Sequence, residues 1–455
     1  MLGARGTFSA RGRSLPSSGT DLRAGVELKP LSLFNVRTMG PALHSLGGFV
    51  ALFAAAWLLS ERRGAVPWRT VAGGMALTLA FGVLLLKVPV FTDVFLILNR
   101  AVTALESATQ AGTSFVFGYL GGGTPPFEER SPANSFILAT RALPIVLVVS
   151  ALSSLLFYWR ILPPVVRAFS SLLRKTMGLG GAVGLAAAAN VFVGMVEAPL
   201  VVKPYIARMS RSELFNLMTC GMATIAGTVM VLYSSVVGKV IPNALGHILV
   251  ASLVATPAAI AIAALMVPPL PDEVPVETDG EVLSAATGAM DAVTRGTMEG
   301  VALLINIVAM LIVLVALVAL ANAAIGLLPQ IGGLPLTLQR LLGYAMAPIV
   351  WIMGIPWSEA PVAGALMGTK TVLNEFIAYI ELAAVPTEAL SPRSRLMMTY
   401  ALCGFANFGS LGIMIGGLTT LAPDRRSDIV SLGSRTLVSG TLATLVAGSV
   451  VGILT

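Results

Sequence analysis

Two carboxylates stand in stretches that otherwise read as lipid-facing or core. Glu197 lies within Asn190-Val-Phe-Val-Gly-Met-Val-Glu197-Ala-Pro-Leu200, and Glu375 within Leu373-Asn374-Glu375-Phe376-Ile-Ala-Tyr379. A charged side chain at the centre of a membrane helix costs on the order of 3 kcal/mol. Each Glu must therefore meet a ligand, a cation or backbone amides, and its repetition favours the ligand. Both segments carry an Asn, and both precede a Cys-Gly pair: Cys220 comes 30 positions after Asn190, and Cys403 comes 29 after Asn374. A polar pair repeated at matched spacing in an apolar chain predicts an internal duplication with the ligand at the repeat interface. Asn190 and Thr224 add hard oxygen donors of the kind a small cation requires. Thr224 taken alone reads equally well as a hydroxyl bonded back to the carbonyl four residues earlier.

The elements that position these residues follow from composition. The chain has 455 residues, of which 56% are hydrophobic and 11% charged. A soluble domain carries about 25% charge, so lipid must solvate most of this one. The 46 glycines suit close helix packing. Basic residues sit in short loops rather than in a stripe, which excludes nucleic acid as a partner. The two cysteines form no disulfide framework, and His44 and His247 have no partner at metal-ligand spacing.

Hydropathy predicts eight spans, near 43–60, 70–90, 135–158 (interrupted by Pro144), 213–236, 243–267, 299–327, 394–418 and 430–454, with a surface-lying helix near 93–108. Two further segments, 163–206 and 338–383, are broken by Gly, Pro, Asn and Glu and read as re-entrant hairpins. Backbone of that kind survives at membrane depth only beside protein or a wet cavity. The span carrying Thr224, with Gly221, Gly227 and Thr228 beside it, is expected to unwind at its centre; the span near 394–418 carries Phe405, Asn407 and Ser410. Three crossings separate the hairpins, so the repeats are inverted. Loops 61–69, 159–175, 203–211 and 424–426 are basic and fall on one side, the cytoplasm, leaving both termini outside. Residues 1–38 are polar and basic and read as a disordered extension, with Met39 as an alternative start. The acidic run of 272–281 reads as a solvated linker. The fold class is thus an all-α polytopic membrane protein with inverted repeats, two re-entrant helical hairpins and unwound transmembrane helices.

Three motifs then become specific. Gly368-Thr-Lys370-Thr-Val-Leu-Asn374-Glu375-Phe376-Ile-Ala-Tyr379 resembles the signature of the concentrative nucleoside transporter family, bacterial type with eight transmembrane helices; Ile377 stands where Val is typical. Asn190 to Leu200 and Cys403-Gly-Phe-Ala-Asn407 are also similar to that family, and the likeness runs from about residue 43 to the C-terminus.

The resemblance implies a homotrimer in the cell inner membrane that imports nucleosides with a coupling ion and no organic cofactor. It divides the chain into scaffold helices with an interfacial helix (39–160), a first transport repeat (161–268), an acidic loop with an interfacial helix and a scaffold span (269–335), and a second transport repeat (336–455). It implies a sodium site from the Asn190 side chain, the Val193 carbonyl, Thr224 and the Ile225 carbonyl. All four are retained, which favours Na+ over H+ as the coupling ion. Glu375, Asn407 and Ser410 would hold the ribose, with Asn374, Glu197 and Phe405 beside them and Val229 against the base. Where the family commonly has Gln followed by Thr or Ser, this chain has Met195-Val196, so the base half of the site is apolar and purine nucleosides are expected to gain. An intramembrane hydrolase is disfavoured because no Ser-His or His-His-Glu set has workable spacing. A proton-coupled symporter, or a receptor or channel using the same pocket, remains the competing expectation.

Overall fold

The computed structural model describes residues 40–128, 137–195, 197–238, 240–278, 286–330 and 335–455. The proposed extension 1–38, Val196, and the acidic residues Asp279 and Glu281 lie outside these, as does the side chain of Glu197.

In chain order the helices are α1 (Pro41–Leu58), α2 (Trp68–Lys87), α3 (Pro89–Phe117), α4 (Ile145–Tyr158), α5 (Leu162–Met177), α6 (Gly181–Asn190), α7 (Glu197–Val201), α8 (Lys203–Ile206), α9 (Arg211–Ala223), α10 (Gly227–Val237), α11 (Ala244–Met266), α12 (Ala289–Ile325), α13 (Leu338–Met353), α14 (Ala360–Val372), α15 (Glu375–Ala384), α16 (Pro392–Leu402), α17 (Phe408–Leu421) and α18 (Arg426–Leu454). Among the described residues, seven stretches are long and apolar enough to cross a membrane. The eighth expected span is the α16–α17 pair, split at residues 403–407. The protein is an all-helical, multi-pass membrane protein.

Burial sorts the spans into two layers. The stretch Arg211–Val237, together with α11 and α18, is enclosed by protein over most of its length, whereas α1, α2 and α4 are covered on one face only. α12 is the most exposed, with Ile305, Ile312, Val313, Leu317 and Leu320 turned outward. Its glycines seat it on α4: a Cβ at Gly300 would press on Leu147 and Ser150. α18 runs through the middle, packed against α1, α9, α11 and α16.

Two expectations change here. Each segment read as one hairpin is an amphipathic helix followed by a shorter antiparallel pair. α5 precedes α6 and α7, ended by Gly178 in the left-handed region (φ 69°); α13 precedes α14 and α15, ended by Gly354 (φ 120°). Glycine accepts that conformation at little steric cost, so the chain can turn sharply into the pair. The helix expected near 93–108 is the 29-residue α3, and the span expected from 299 begins at Ala289 as one continuous helix.

The acidic segment is also not free. Val276 is buried; its N–H donates to Glu213 Oε1 (2.9 Å) and its carbonyl accepts from Ala182 N (3.0 Å), while Glu277 pairs with Arg174. The acids stay largely exposed, but the backbone at Val276 is held between two helix starts: a free N–H of α6 donates to its carbonyl, and the Glu213 carboxylate of α9 accepts from its N–H.

Arginines tie the helix ends together. Arg393 donates to the carbonyls of Gly354 (3.0 Å), Pro41 (2.9 Å) and Gly452 (2.6 Å) and to Ser45 Oγ (2.8 Å). Arg395 donates to Leu382, Val385 and Pro386, satisfying carbonyls that the end of α15 leaves free.

Candidate functional site

The site assembles where four helix interruptions meet. α9 stops at Ala223 and α10 starts at Gly227; α16 stops at Leu402 and α17 starts at Phe408. The two breaks touch directly, since Phe405 N donates to the Thr224 carbonyl (3.3 Å). The tip of the α6–α7 pair reaches the same place: Gly227 N donates to the Phe192 carbonyl (3.3 Å). Both contacts need glycine. A Cβ on Gly227 would stand 2.6 Å from the Phe192 oxygen, and one on Gly404 would stand 2.9 Å from the Ala223 oxygen. No side chain fits at those distances, so the sequence permits the breaks to close on one another only there.

Glu375 is the centre of this arrangement. It is the first residue of α15 and is buried, 4% exposed. Tyr233 donates its hydroxyl to Oε1 (2.6 Å) and Asn407 donates its amide to Oε2 (2.8 Å). Hydrogen bonds of this kind to a charge are shorter and roughly twice as strong as neutral ones. A carboxylate can accept about four hydrogen bonds, so two donors leave capacity for a ligand's hydroxyls. Tyr233 stacks on Phe376 (5.7 Å between centroids, 27°) and leans on Tyr379 (5.4 Å), which fixes its ring. Lys370, fully buried, donates Nζ to the Ala401 carbonyl (2.8 Å) and Thr444 Oγ1 (3.0 Å) and lies within electrostatic reach of Glu375. It thereby satisfies one of the carbonyls that the end of α16 leaves free, at the negative end of that helix.

The asparagines serve the backbone as well. Asn407 Oδ1 accepts from Ser410 N (2.7 Å) to cap α17, and Asn374 Oδ1 accepts from Ile377 N (2.9 Å) to cap α15. Both capped N-termini open onto the break region. Ser410 is 8% exposed, and Phe405 is partly exposed. Val229, buried, lies one helical turn before Tyr233, so α10 presents an apolar contact and the Glu375 donor along one face.

The expected cation ligands also converge. Asn190 and Thr224 are buried, 4% and 1% exposed, and Ile225 is fully buried. Asn190 ends α6, and its amide packs beside Gly221, where Met195 also sits. Thr224 donates its hydroxyl to the Cys220 carbonyl (3.0 Å), the back-bond that the residue type alone suggested. That bond uses its proton and leaves its oxygen lone pairs for a cation. Val193 is at the tip, its N–H bonded to the Ala189 carbonyl (2.9 Å).

One expected correspondence is revised. Glu197 and Glu375 are both the first residue of a hairpin's second helix, but Asn190 closes the first arm whereas Asn374 caps the second. The asparagines are therefore not repeat-equivalent. The matched spacing to Cys220 and Cys403 was a coincidence of tips of different length. Sequence reasoning missed Tyr233 and Lys370 as members of the cluster. Lys370 could have been found as the lone cation inside an apolar helix; no local signal marks Tyr233.

Fold and site together define a multi-pass helical carrier with a buried polar cluster at helix breaks. The chain matches the family model described as Na+ dependent nucleoside transporter C-terminus over residues 247–452, the corresponding N-terminus model over 47–120, and one described as nucleoside recognition over 139–240. It belongs to the Na+-dependent, concentrative nucleoside transporter family. It is 38% identical over 423 residues to an uncharacterized transporter of Haemophilus influenzae, covering 90% of this chain and 97% of that one. It is 32% identical to the nucleoside permease NupC of Helicobacter pylori (90% and 97% covered), and 33% identical to the rat sodium/nucleoside cotransporter 1 (96% and 67%). Among solved structures it is similar to CNTnw in an inward-facing substrate-bound state, with TM-score 0.82, 38% identity and coverage of 91% and 99%. These relatives are transporters, not enzymes.

Proposed function

We propose that this chain is a Na+-driven symporter that imports nucleosides across a bacterial inner membrane, working as a homotrimer. The observation that carries this reading is the convergence of Glu375, Asn407 and Tyr233 at the paired helix breaks, with Asn190 and Thr224 brought to the same breaks by the α6–α7 tip. Glu375 accepts the ribose hydroxyls, with Asn407, Asn374 and Ser410 around it and Phe405 and Val229 against the base; Glu197 is a further substrate ligand by the family resemblance. Sodium sits between Asn190, the Val193 carbonyl, Thr224 and the Ile225 carbonyl. The ion holds the α6–α7 tip against the broken α9–α10 span, which completes the base side of the pocket. The two re-entrant pairs with their broken spans (161–268 and 336–455) then move as a transport domain against a scaffold of 39–160 and 269–335.

Radiolabelled uridine and adenosine uptake into liposomes tests this. A Na+ gradient should drive accumulation against the nucleoside gradient, and Asn190→Ala should raise the Na+ concentration for half-maximal uptake at least tenfold. Accumulation driven equally by a proton gradient, with Asn190→Ala unchanged, would assign the coupling to H+.

Base preference is read in the same vesicles. Met195 and Val196 cannot hydrogen-bond a base edge, so unlabelled adenosine should compete with uptake more strongly than uridine. Clear preference for uridine would overturn the apolar reading of the base pocket.

A further inference from the structure

Away from the Glu375 cluster, a cavity of about 90 Å3 opens on the side of the protein where α5 turns into α6. Its wall is formed by Gly178 and Gly180 of that turn, Ser212, Glu213 and Asn216 of α9, Ala264 of α11, and the segment Pro269–Pro275 that leads towards α12. Two buried oxygens of lining residues have no partner: Asn216 Oδ1 and Glu273 Oε2. Asn216 is 6% exposed. Its amide orientation is fixed, because Nδ2 donates to the Ser212 carbonyl (3.1 Å) and a carbonyl can only accept. Buried polar atoms are almost always partnered, and each exception in a native protein calls for a reason.

Both orphans are acceptors, so whatever completes them must be positive or rich in donors. The wall offers only neutral donors, among them the Ser210 and Ser212 hydroxyls. Two carboxylates line it, Glu213 and Glu273, and among the described residues no Lys, Arg or His does. Glu213 accepts one hydrogen bond on each oxygen, from Val276 N and Ser210 N, so it lends charge to the wall and keeps spare lone pairs. The donors are hard oxygens, which select alkali or alkaline-earth ions over thiophilic metals. Only two carboxylates are present, and no cluster of three or more His, Cys, Asp or Glu exists among the described residues, which favours a single positive charge. The volume corresponds to roughly three water molecules, enough for an alkali ion with part of its hydration shell.

We propose that this cavity is a binding site for a partly hydrated monovalent cation, distinct from the one at the α6–α7 tip. The ion bridges Glu273 and Asn216 and offsets the repulsion between Glu273 and Glu213. It thereby fastens the Pro269–Pro275 segment to the start of α9, where Val276, Ala182 and the Arg174–Glu277 pair already hold the segment's end. The segment leads from α11 to α12, so the ion stiffens the connection between the enclosed spans and the exposed helix.

The test is thermal unfolding of the full chain in nanodiscs, titrated with NaCl or KCl against N-methyl-D-glucamine chloride at constant ionic strength. An Asn190→Ala background shifts the contribution of the tip site to at least tenfold higher Na+, separating it from the cavity's. Saturable stabilisation should persist there. Glu273→Gln in that background should weaken the apparent cation affinity at least tenfold, and Asn216→Asp should tighten it at least threefold. Glu273 is partly exposed, so its Gln variant should fold; if it does not, Asn216→Asp carries the test. Stabilisation that is absent in the Asn190→Ala background, or titrations indifferent to both substitutions, would overturn the proposal and leave a cavity filled by water alone.

Discussion

Replacing Glu375 with Gln should reduce nucleoside uptake by a factor of 10²–10⁴ while leaving the protein folded. The estimate follows from what the carboxylate accepts. Ribose hydroxyls bonding to a buried charge contribute roughly 1.5–3 kcal/mol each, and two of them make about 3–6 kcal/mol. Gln preserves the shape but turns one acceptor into an NH2 group. That group must face either Tyr233, which now donates to Oε1, or Asn407, which now donates to Oε2. Facing Asn407 sets donor against donor, since the Asn407 oxygen is held by Ser410 N. Facing Tyr233 forces its hydroxyl to turn away. Either way the ribose loses its charged acceptor. Uptake and equilibrium nucleoside binding should fall together, and 2′- and 3′-deoxynucleosides, which should bind less well than the nucleoside to the parent, should no longer be distinguished by the variant. Normal transport by Glu375→Gln would remove Glu375 from the ribose site.

The second large effect is on stability. Lys370→Met should destabilise the protein by about 1–3 kcal/mol, the cost of leaving a buried acceptor without its partner. Methionine fills nearly the same volume, so the loss is not one of packing. It strands the Ala401 carbonyl, which Nζ now satisfies, leaves Thr444 Oγ1 with its bond to the Thr441 carbonyl alone, and takes away a positive charge that acts on Glu375. The electrostatic attraction between the two groups predicts non-additivity: Lys370→Met with Glu375→Gln should be less destabilised than the sum of the single variants. Thermal unfolding of the four proteins in one detergent measures this. A Lys370→Met protein as stable as the parent would show that the lysine is not needed to balance the site.

The sequence alone determined the solvent, the spans and the family. Apolar runs of membrane length are local, and a stretch such as Ala244–Met266 needs no partner to be recognised. The first break is legible for the same reason, since Gly221, Thr224 and Gly227 stand where an apolar helix should continue, whereas the second, at 403–407, appears only in the structure. Glu375 could be singled out because an acid inside such a run is costly wherever it packs.

What the acid touches was decided by tertiary structure. Tyr233 lies 142 positions before Glu375 and meets it only because α10 packs on α15. A tyrosine in an apolar helix looks like any other core aromatic until its partner arrives. In the acidic segment, Asp272 and Glu277 are exposed, as composition suggests, but tertiary structure adds that the helix starts at Ala182 and Glu213 hold its backbone at Val276. The asparagines illustrate the limit of counting. Spacing made Asn190 and Asn374 look equivalent, whereas the tips they flank differ in length, so one ends a helix and the other begins one. Hydropathy is fixed within a few turns of chain, but hydrogen-bond partners are chosen by whichever surfaces the packed helices bring together.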